Sequence, residues 1–333
     1  MIPWLVLLQA TLSIATAGPP TAPEYLPLWV AQSEGYFADE KLDVSLDAAR
    51  ADAPAADALN RGQVELAATS LWTAVVRASV GGTPPSVVFG LTAAPAVALL
   101  VPTARKEAIR GLADLIDQTV GVAGPSTPAE FVLPALLAKE NISASKVMLR
   151  SFGERGLAGA IEADQVAAGL IGDPYATRLV KEGKAVALID LRRPGETARW
   201  LGEPGVYSAI FARSDTKVGA AQLKPLSRAL LRAIALIQTA PPDDLRAKLP
   251  EAVVGFPEDF SLRVLGARHI FLKDGLVTPD MLSAGIAMVR THGPIPDRVK
   301  FPRNMGRLLL MAPLKDVLAS EAPPAASEAP PSQ

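Results

Sequence analysis

The sequence predicts an α/β protein with two lobes. Short β-type runs alternate with amphipathic helical stretches from residue 12 to residue 101, a pattern typical of a parallel sheet flanked by helices. A second alternating series occupies residues 103–205. The chain leaves the first series through residues 96–101 and returns through residues 206–212, and two crossings indicate a hinge. The expected limits are residues 12–102 plus 206–312 for lobe 1 and residues 103–205 for lobe 2.

The composition is that of a globular chain. Its 333 residues leave room for about two domains and a sizeable core. Hydrophobic residues make up 49% and the net charge is −1, so neither wholesale disorder nor nucleic-acid binding through a basic surface is indicated. Cysteine is absent, which excludes disulfides, thiolate nucleophiles and the usual structural zinc sites. We expect His269 and His292 to be structural, and we expect no metal and no cofactor.

The N-terminus has two interpretations. Residues 3–8 are apolar like the core of a signal peptide, and Ala15-Thr16-Ala17 resembles a cleavage site, but no Lys or Arg precedes Lys41. Residues 12–17 also alternate like a strand before a Gly-Pro-Pro turn, and cleavage would discard that strand. We therefore expect residues 1–11 to be the remnant of an export signal whose basic start lies upstream. No apolar run approaches the roughly 20 residues of a membrane span.

In lobe 1, the first strand is followed by a helix that Gly35 ends, because glycine readily adopts the left-handed conformation of a helix C-terminus. Farther along, a brief strand runs into Thr69 and Ser70, whose hydroxyls lie at the start of the next helix. The predicted elements are helices over residues 24–37 and 55–60 and strands over residues 42–46, 65–68, 86–89 and 96–101.

The stretch of residues 119–141 combines a strand, a glycine turn and a helix start. Gly124 frees the backbone where the strand ends, and Thr127 with Glu130 fits the spacing of a capping box. The free N–H groups and positive dipole end of this helix, together with the hydroxyls of Ser126 and Thr127, could hold an anion without a lysine. Alternatively, the two hydroxyls only cap a structural helix. The stretch is not a P-loop, since Gly-Lys-Ser/Thr is missing.

The rest of the chain supplies the remaining strands of lobe 2 and helices that brace lobe 1. The turn Gly172-Asp173-Pro174 begins one helix of lobe 2. We expect residues 313–333 to be a disordered tail rich in Pro and Ala, because such a composition buries no core. The predicted strands span residues 147–150, 166–171 and 185–189, and the predicted helices span residues 112–117, 156–163, 173–182, 220–239, 257–270 and 278–291.

Four separated blocks resemble one protein family. The run PLWVAQSEGYFADEKLDVSL at residues 27–46 is similar to the signature of the SsuA/THI5-like (NMT1/THI5) solute-binding proteins of ABC importers. The blocks at residues 58–70, 111–142 and 162–191 follow in the family's order. The resemblance implies a type II periplasmic-binding-protein fold with a hinge and an interlobe ligand cleft. It further implies a periplasmic receptor, which we expect to be a monomer, that delivers a small solute to the permease subunits of an importer.

The same resemblance suggests the cargo and the site. Its cargo types are alkanesulfonates, taurine, nitrate and thiamine-precursor pyrimidines. Four turns match family turns that face the cleft, at the carboxyl ends of strands where open α/β sheets bind ligands. We expect an anionic or strongly hydrogen-bond-accepting group at the lobe 2 hydroxyls, with the lobe 1 hydroxyls closing over it. The ligand-binding candidates are Tyr25, Thr69, Ser70, Ser126, Thr127 and Asp173.

A receptor needs no catalytic constellation, and the sequence contains no nucleophile elbow, no metal-spaced ligands and no plausible triad. The alternative is an enzyme on the same fold, similar to chorismate dehydratase, because fold alone does not decide function. The lack of Cys argues against yeast-type pyrimidine synthesis. Two departures from the family bear on the cargo: Gly172-Asp173-Pro174 replaces a more usual aromatic-Glu-Pro segment, and Pro134 interrupts a helix that is usually whole.

Overall fold

The computed structural model describes residues 11–81, 84–124, 127, 129–193, 195–202, 205–292 and 301–321. These residues form two five-stranded sheets, each flanked by helices. The predicted α/β architecture is therefore confirmed. The predicted remnant of an export signal falls on residues 1–11, of which only residue 11 lies within the described residues. Among the described helices, none has both the length and the apolar content that crossing a bilayer requires.

The first sheet has the strand order β2-β1-β3-β10-β4. β1 pairs parallel with β2 and with β3, whereas β10 runs antiparallel between β3 and β4. Leu12 and Ile14 of β1 are fully buried, so the alternation near the N-terminus belongs to a central strand, as predicted. The strands are β1 (Leu12–Thr16), β2 (Val44–Ala48), β3 (Leu66–Ser70), β4 (Ser86–Thr92) and β10 (Ser208–Ala212).

The second sheet has the order β7-β6-β8-β5-β9. β5 lies antiparallel between β8 and β9, and its central residues Ala98 to Val101 are all fully buried. β5 therefore belongs to the second sheet, and the chain crosses before residue 97, not after residue 102 as the sequence suggested. The strands are β5 (Val97–Pro102), β6 (Thr119–Val122), β7 (Met148–Ser151), β8 (Ala168–Gly172) and β9 (Ala185–Asp190).

Helices cover both sheets, and the long C-terminal helix α9 has the predicted bounds Ala220–Thr239. Its apolar residues recur every three or four positions, which gives one buried face against α1 and α14. The other helices are α1 (Leu26–Ser33), α2 (Tyr36–Asp39), α3 (Asp52–Asn60), α4 (Leu71–Gly81), α5 (Ala129–Lys139), α6 (Glu154–Glu162), α7 (Tyr175–Lys181), α8 (Glu196–Leu201), α10 (Pro242–Lys248), α11 (Glu251–Val254), α12 (Pro257–Ala267), α13 (Pro279–His292) and α14 (Ala312–Glu321).

Two predictions at helix ends need correction. The helix expected over residues 24–37 ends before Gly35, as predicted from the left-handed conformation of this glycine (φ 75°), but it begins as a 3-10 turn before α1, and residues 36–37 belong to a separate helix, α2. The expected disordered tail begins too early, since α14 is a helix whose Leu314 and Val317 are buried against the body. Leu314 and Val317 are three residues apart and so lie on the same face of α14, which packs against the protein although the sequence that follows is rich in Pro and Ala. Residues 322–333 lie outside the described residues.

The two lobes are joined side by side at the crossings. The Tyr207 N–H donates to the Thr92 carbonyl oxygen over 2.9 Å, and the Thr92 and Ser208 hydroxyls are 2.7 Å apart. These bonds tie together the two segments that lead between the lobes, whereas a contact between the lobes themselves lies between α7 and α12, where Lys181 Nζ is 2.8 Å from Oδ1 of the buried Asp259. The lobes also pack where α5 meets α13 and Trp72 of α4, and a cleft lies between them.

Candidate ligand-binding cleft

A cavity of about 140 Å³ lies between the lobes, at the carboxyl ends of parallel strands from both sheets. Where the chain passes between the lobes, it lines the cavity with Ala96, Val97, Tyr207 and Ser208. This is where open α/β sheets expose free backbone groups to a ligand. The strand-end residues in its lining are Gly18 and Pro19 after β1, Ser70 after β3, Thr92 after β4, Ala123 after β6, and Gly172 and Asp173 after β8.

Gly18 positions the first of these turns. A Cβ atom on Gly18 would collide with the carbonyl oxygen of Ala49, so the turn after β1 approaches the turn after β2 as closely as backbone permits. The chain continues into the 3-10 turn Pro23–Tyr25, which brings Glu24 and Tyr25 to the cleft. A side chain at residue 18 would displace both.

Asp52, the first residue of α3, organises the lobe 1 wall. Its Oδ1 accepts hydrogen bonds from the Tyr25 hydroxyl at 2.9 Å, the Thr69 hydroxyl at 2.8 Å and the Ser70 N–H at 2.7 Å. Within the described part of the chain, Asp52 forms no salt bridge. Three neutral donors therefore hold a carboxylate at the cleft without cancelling its charge.

Asp173 organises the lobe 2 wall in a different way. Its Oδ1 accepts from the Thr177 N–H at 2.9 Å and from Arg192 Nη1 at 2.7 Å. Arg192 also binds Asp190, with Nε 2.8 Å from Oδ1 and Nη2 2.9 Å from Oδ2. Burial alone would raise the pKa of Asp190, but the hydrogen bonds and charge of Arg192 outweigh it and lower that pKa. This wall thus contains a buried ion-pair network.

Glu24 and Glu154 complete the acidic lining, one from each lobe. Burial raises the pKa of Glu24 to about 8, and the negative charges of Asp52, Asp173 and Glu154 contribute. Burial, with the charge of Asp52, likewise raises the pKa of Glu154 to about 7, although this residue as a whole is exposed at the start of α6. In the described structure neither carboxyl is ion-paired. Both are therefore partly or mostly protonated in the free cleft at neutral pH.

Aromatic side chains form much of the apolar lining. Phe131 of α5 packs on Trp72 with ring centroids 5.3 Å apart, and Tyr25 and Tyr207 lie on the lobe 1 side. Burial raises the pKa of Tyr25, with the charge of Asp52 contributing, and burial also raises that of Tyr207. Both phenols are therefore neutral at ordinary pH and act as donors or as aromatic faces.

The structure brings together most of the residues expected at the site. Tyr25, Ser70, Thr127 and Asp173 line the cleft. Thr69 is fully buried behind the wall, where its hydroxyl donates to Asp52. Ser126 lies outside the described residues. The assignment of ligand contacts to these residues stays a prediction.

The hydroxyls that were expected to bind an anion have protein partners. Thr127 Oγ1 donates to the Gly124 carbonyl oxygen at 2.8 Å. Ser70 Oγ lies 2.8 Å from Thr73 Oγ1 and accepts from the Thr73 N–H at 3.2 Å, as a helix cap does. Ser70 is therefore the cap of α4, whereas the Thr127 hydroxyl donates to a carbonyl oxygen, which is not a capping bond because a cap accepts from a helix N–H.

Sequence reasoning missed the residues that set the charge of the cleft. Glu24 precedes Tyr25 in the same turn, and Glu154 begins the helix after β7 just as Asp52 begins the helix after β2. The rule that strand ends face the cleft could have identified all three. Phe131 and Tyr207 gave no comparable signal, since aromatic residues in apolar runs usually pack in the core. Among the described residues, no three His, Cys, Asp or Glu side chains are grouped to hold one metal ion.

Several solved structures with the same fold are named as solute-binding proteins. A protein of Bordetella bronchiseptica matches with a TM-score of 0.79 at 22% identity, covering 94% of this chain and 98% of that one. The alkanesulfonate-binding protein SsuA of Xanthomonas axonopodis bound to MOPS has a TM-score of 0.68 at 18% identity, covering 90% and 98%. The periplasmic nitrate-binding protein NrtA of Synechocystis has a TM-score of 0.71 at 12% identity, covering 93% and 89%.

At such identities the structural likeness establishes the fold alone, which is the periplasmic-binding-protein fold implied by the sequence blocks. No curated protein matches the chain. The sequence profile described as NMT1/THI5 like matches residues 22–242, which include most of lobe 1 and all of lobe 2. The chain therefore belongs to the NMT1/THI5-like family.

Proposed function

We propose that this protein is the periplasmic solute-binding receptor of an ABC importer, which captures one small polar molecule between its lobes and presents it to the permease subunits. The observation that carries the proposal is the cavity itself. It lies between two lobes that the backbone connects only at the crossings, so a bound molecule would contact both lobes and favour their closure.

The family and the neighbouring folds support the same reading. Two solved neighbours are an alkanesulfonate-binding protein and a periplasmic nitrate-binding protein. The polar groups of the cleft stand at strand ends, where they can orient a ligand, and the aromatic groups can cover its apolar part. We expect the receptor to act as a monomer.

One observation favours a second candidate, an enzyme on the same fold similar to chorismate dehydratase. Glu24 has a pKa of about 8 inside the cleft, and a carboxyl with a raised pKa can serve as a general acid. A receptor releases its ligand unchanged, whereas this enzyme would convert it. Mass spectrometry of a bound compound after long incubation separates the two candidates.

The receptor function predicts closure on binding. Candidate solutes, including taurine, an alkanesulfonate, nitrate, an aminopyrimidine and benzamidine, are first screened by thermal shift. A ligand at a hundred times its Kd adds about 2.7 kcal/mol to the free energy of unfolding, which such a screen detects. Solution scattering at saturation should then show a smaller radius of gyration, because the lobes close.

A variant with an obstructed cleft is the control. Ala53 lines the cleft on α3 and is half-buried, so Ala53→Trp should fill ligand space while the fold persists. The variant should lose both the thermal shift and the compaction. A solute that stabilises the parent and Ala53→Trp equally, without compaction of either, would contradict binding between the lobes.

A further inference from the structure

We infer that the cleft selects an organic cation, a protonated amine or amidine, in preference to a sulfonate or another oxyanion. The inference rests on the proposed receptor function and concerns the same cleft. It reverses the charge that the sequence suggested for the ligand.

The first step is the charge of the lining. Glu24 and Asp52 come from lobe 1, and Glu154 and Asp173 come from lobe 2. No described residue that lines the cleft is Lys, Arg or His. The turn at residues 124–129 reads GPSTPA, so its residues outside the described set add no basic side chain either. A ligand that enters meets carboxyl groups on both sides.

The second step is that two arginines behind the cleft walls are already engaged. Arg192 reaches Asp173 from behind the wall and is shared with Asp190, which also lies 3.5 Å from the exposed Arg193, so this guanidinium is already paired. Arg263 lies behind the loop after β1, where its Nη1 donates to the Thr21 carbonyl oxygen at 2.8 Å and its Nη2 donates to the Val254 carbonyl oxygen. Neither guanidinium belongs to the cleft lining. An oxyanion would therefore meet no lining cation.

The third step concerns hydrogen-bond donors. The Tyr25 hydroxyl and the Ser70 N–H both donate to Asp52, and the Thr127 hydroxyl donates to Gly124. An oxyanion needs donors, and these would first have to leave their present acceptors at a free-energy cost. The carboxyls of Glu24 and Glu154 always offer acceptor oxygens, and the O–H donor that each carries when protonated is lost when a bound cation favours the ionised form. The described groups therefore suit a ligand that brings N–H donors and positive charge.

The aromatic lining fits the same ligand. Phe131, Tyr25 and Tyr207 lie in the cavity wall, and the face of an aromatic ring attracts a cation within about 6 Å of its centroid. The raised pKa keeps both tyrosines neutral, so their rings carry no charge of their own. A compact amidine or amine could place its apolar part against these rings and its N–H groups against the carboxyls.

Binding of a cation should release protons. Glu24, with a pKa of about 8, and Glu154, with a pKa of about 7, hold protons that a positive ligand would expel by favouring the ionised forms. Affinity for a permanently charged cation should then rise between pH 6 and pH 8, by up to about tenfold per pH unit for each proton released. An anion would instead take up protons and bind more weakly as pH rises. The titratable and charged groups in or behind these walls are Tyr25, Asp52, Asp173, Asp190, Arg192, Tyr207 and Arg263.

The test uses the full chain and probes matched in shape but not in charge. Benzamidinium is compared with benzenesulfonate, and butylammonium with butanesulfonate, by thermal shift and by calorimetry in phosphate and Tris buffers. The two buffers differ in ionisation enthalpy, so the difference in heat counts the protons released. We expect the cations to raise Tm and release protons, and the anions to do neither.

Two charge-removing variants locate the effect. Glu24→Gln and Glu154→Gln should each weaken binding of benzamidinium by about five- to tenfold and reduce the number of protons released. Glu140→Gln is the matched control, because Glu140 is exposed at the end of α5 and far from the cleft lining. It removes the same charge and should leave both values unchanged.

The opposite results overturn the inference. They are stabilisation by the sulfonates with proton uptake, stabilisation by Mg²⁺ or Ca²⁺ alone equal to that by the amidine, or no shift with any cationic probe at millimolar concentration. An anionic or neutral solute recovered from protein purified from its own host would overturn it as well. A cation that binds without closing the lobes would instead count against the receptor function and leave the charge selection standing.

Discussion

The two walls of the cleft hold their carboxyl groups in different ways. Each holds a carboxylate near the end of a parallel strand, but Asp52 in lobe 1 is held by a tyrosine hydroxyl, a threonine hydroxyl and a backbone N–H, whereas Asp173 in lobe 2 is held by Arg192. In the described structure, Asp52 has no positively charged partner. Asp173 forms a buried ion pair with Arg192. The type of hydrogen-bond donor, and not the position of the carboxyl, therefore distinguishes the two walls.

Among the substitutions that test this difference between the two walls, we expect the largest loss of stability at Arg192. Its side chain is 11% exposed and those of Asp173 and Asp190 are 3% and 10% exposed. Arg192→Ala would leave the buried Asp173 without a cation and Asp190 with only the exposed Arg193, so we expect a loss of about 3–5 kcal/mol in the free energy of unfolding. The loss, measured by urea denaturation at pH 7, should shrink toward pH 4 because the carboxyls can then be protonated.

Arg193→Ala is the control for that substitution. Arg193 is the next residue and lies 3.5 Å from Asp190, but its side chain is 68% exposed. We expect Arg193→Ala to lower the free energy of unfolding by less than about 1 kcal/mol, because exposed ion pairs contribute little to stability. Equal losses for the two variants would show that the buried network does not stabilise lobe 2.

An intermediate effect is expected at Asp52. Asp52→Asn keeps an oxygen for the three donors but removes the charge, which should cost about 1–2 kcal/mol since hydrogen bonds to a charged acceptor are the stronger kind. The charge of Asp52 also contributes to the raised pKa of both Glu24 and Glu154. The variant should therefore lower both values toward the ordinary Glu pKa, as followed by carbon NMR of labelled carboxyls.

Asp57→Asn provides the comparison on the same helix, because Asp57 pairs with Arg77 and does not line the cleft. We expect Asp57→Asn to leave the pKa values of Glu24 and Glu154 unchanged. If Asp52→Asn also leaves both titrations unchanged, the lobe 1 wall does not set the electrostatics of the cleft.

The smallest effect is expected at Tyr25. Tyr25→Phe removes one of the three donors to Asp52 and keeps the ring, which is only 4% exposed and packs in the lobe 1 core. We expect a loss of about 1 kcal/mol. Tyr25→Ala should cost several times more, because it also removes the buried ring. Chemical denaturation of both variants measures the two losses, and equal values would assign the whole contribution of Tyr25 to its hydroxyl.

Much of the fold follows from local sequence. The apolar spacing of α9 predicts its bounds, and the alternation at residues 12–17 predicts β1 against the competing signal-peptide interpretation. The turns at Ser70, Thr127 and Asp173 were expected at the cleft, where the structure has them. These features were predictable because helix and strand periods, caps and turn residues act over a few positions of the chain.

The tertiary structure alone decided which sheet β5 joins, whether the segment at α14 packs, and what charge the cleft carries. Each depends on partners distant in sequence: β5 pairs with β8 and β9, α14 packs on α9, and Asp52 meets Tyr25 and Ser70. An isolated acidic residue in a sequence does not reveal whether an arginine will neutralise it, as at Asp173, or whether neutral donors will leave it charged, as at Asp52. Burial and pairing determine the free energy of a charge, and both arise only when separate segments of the chain come together.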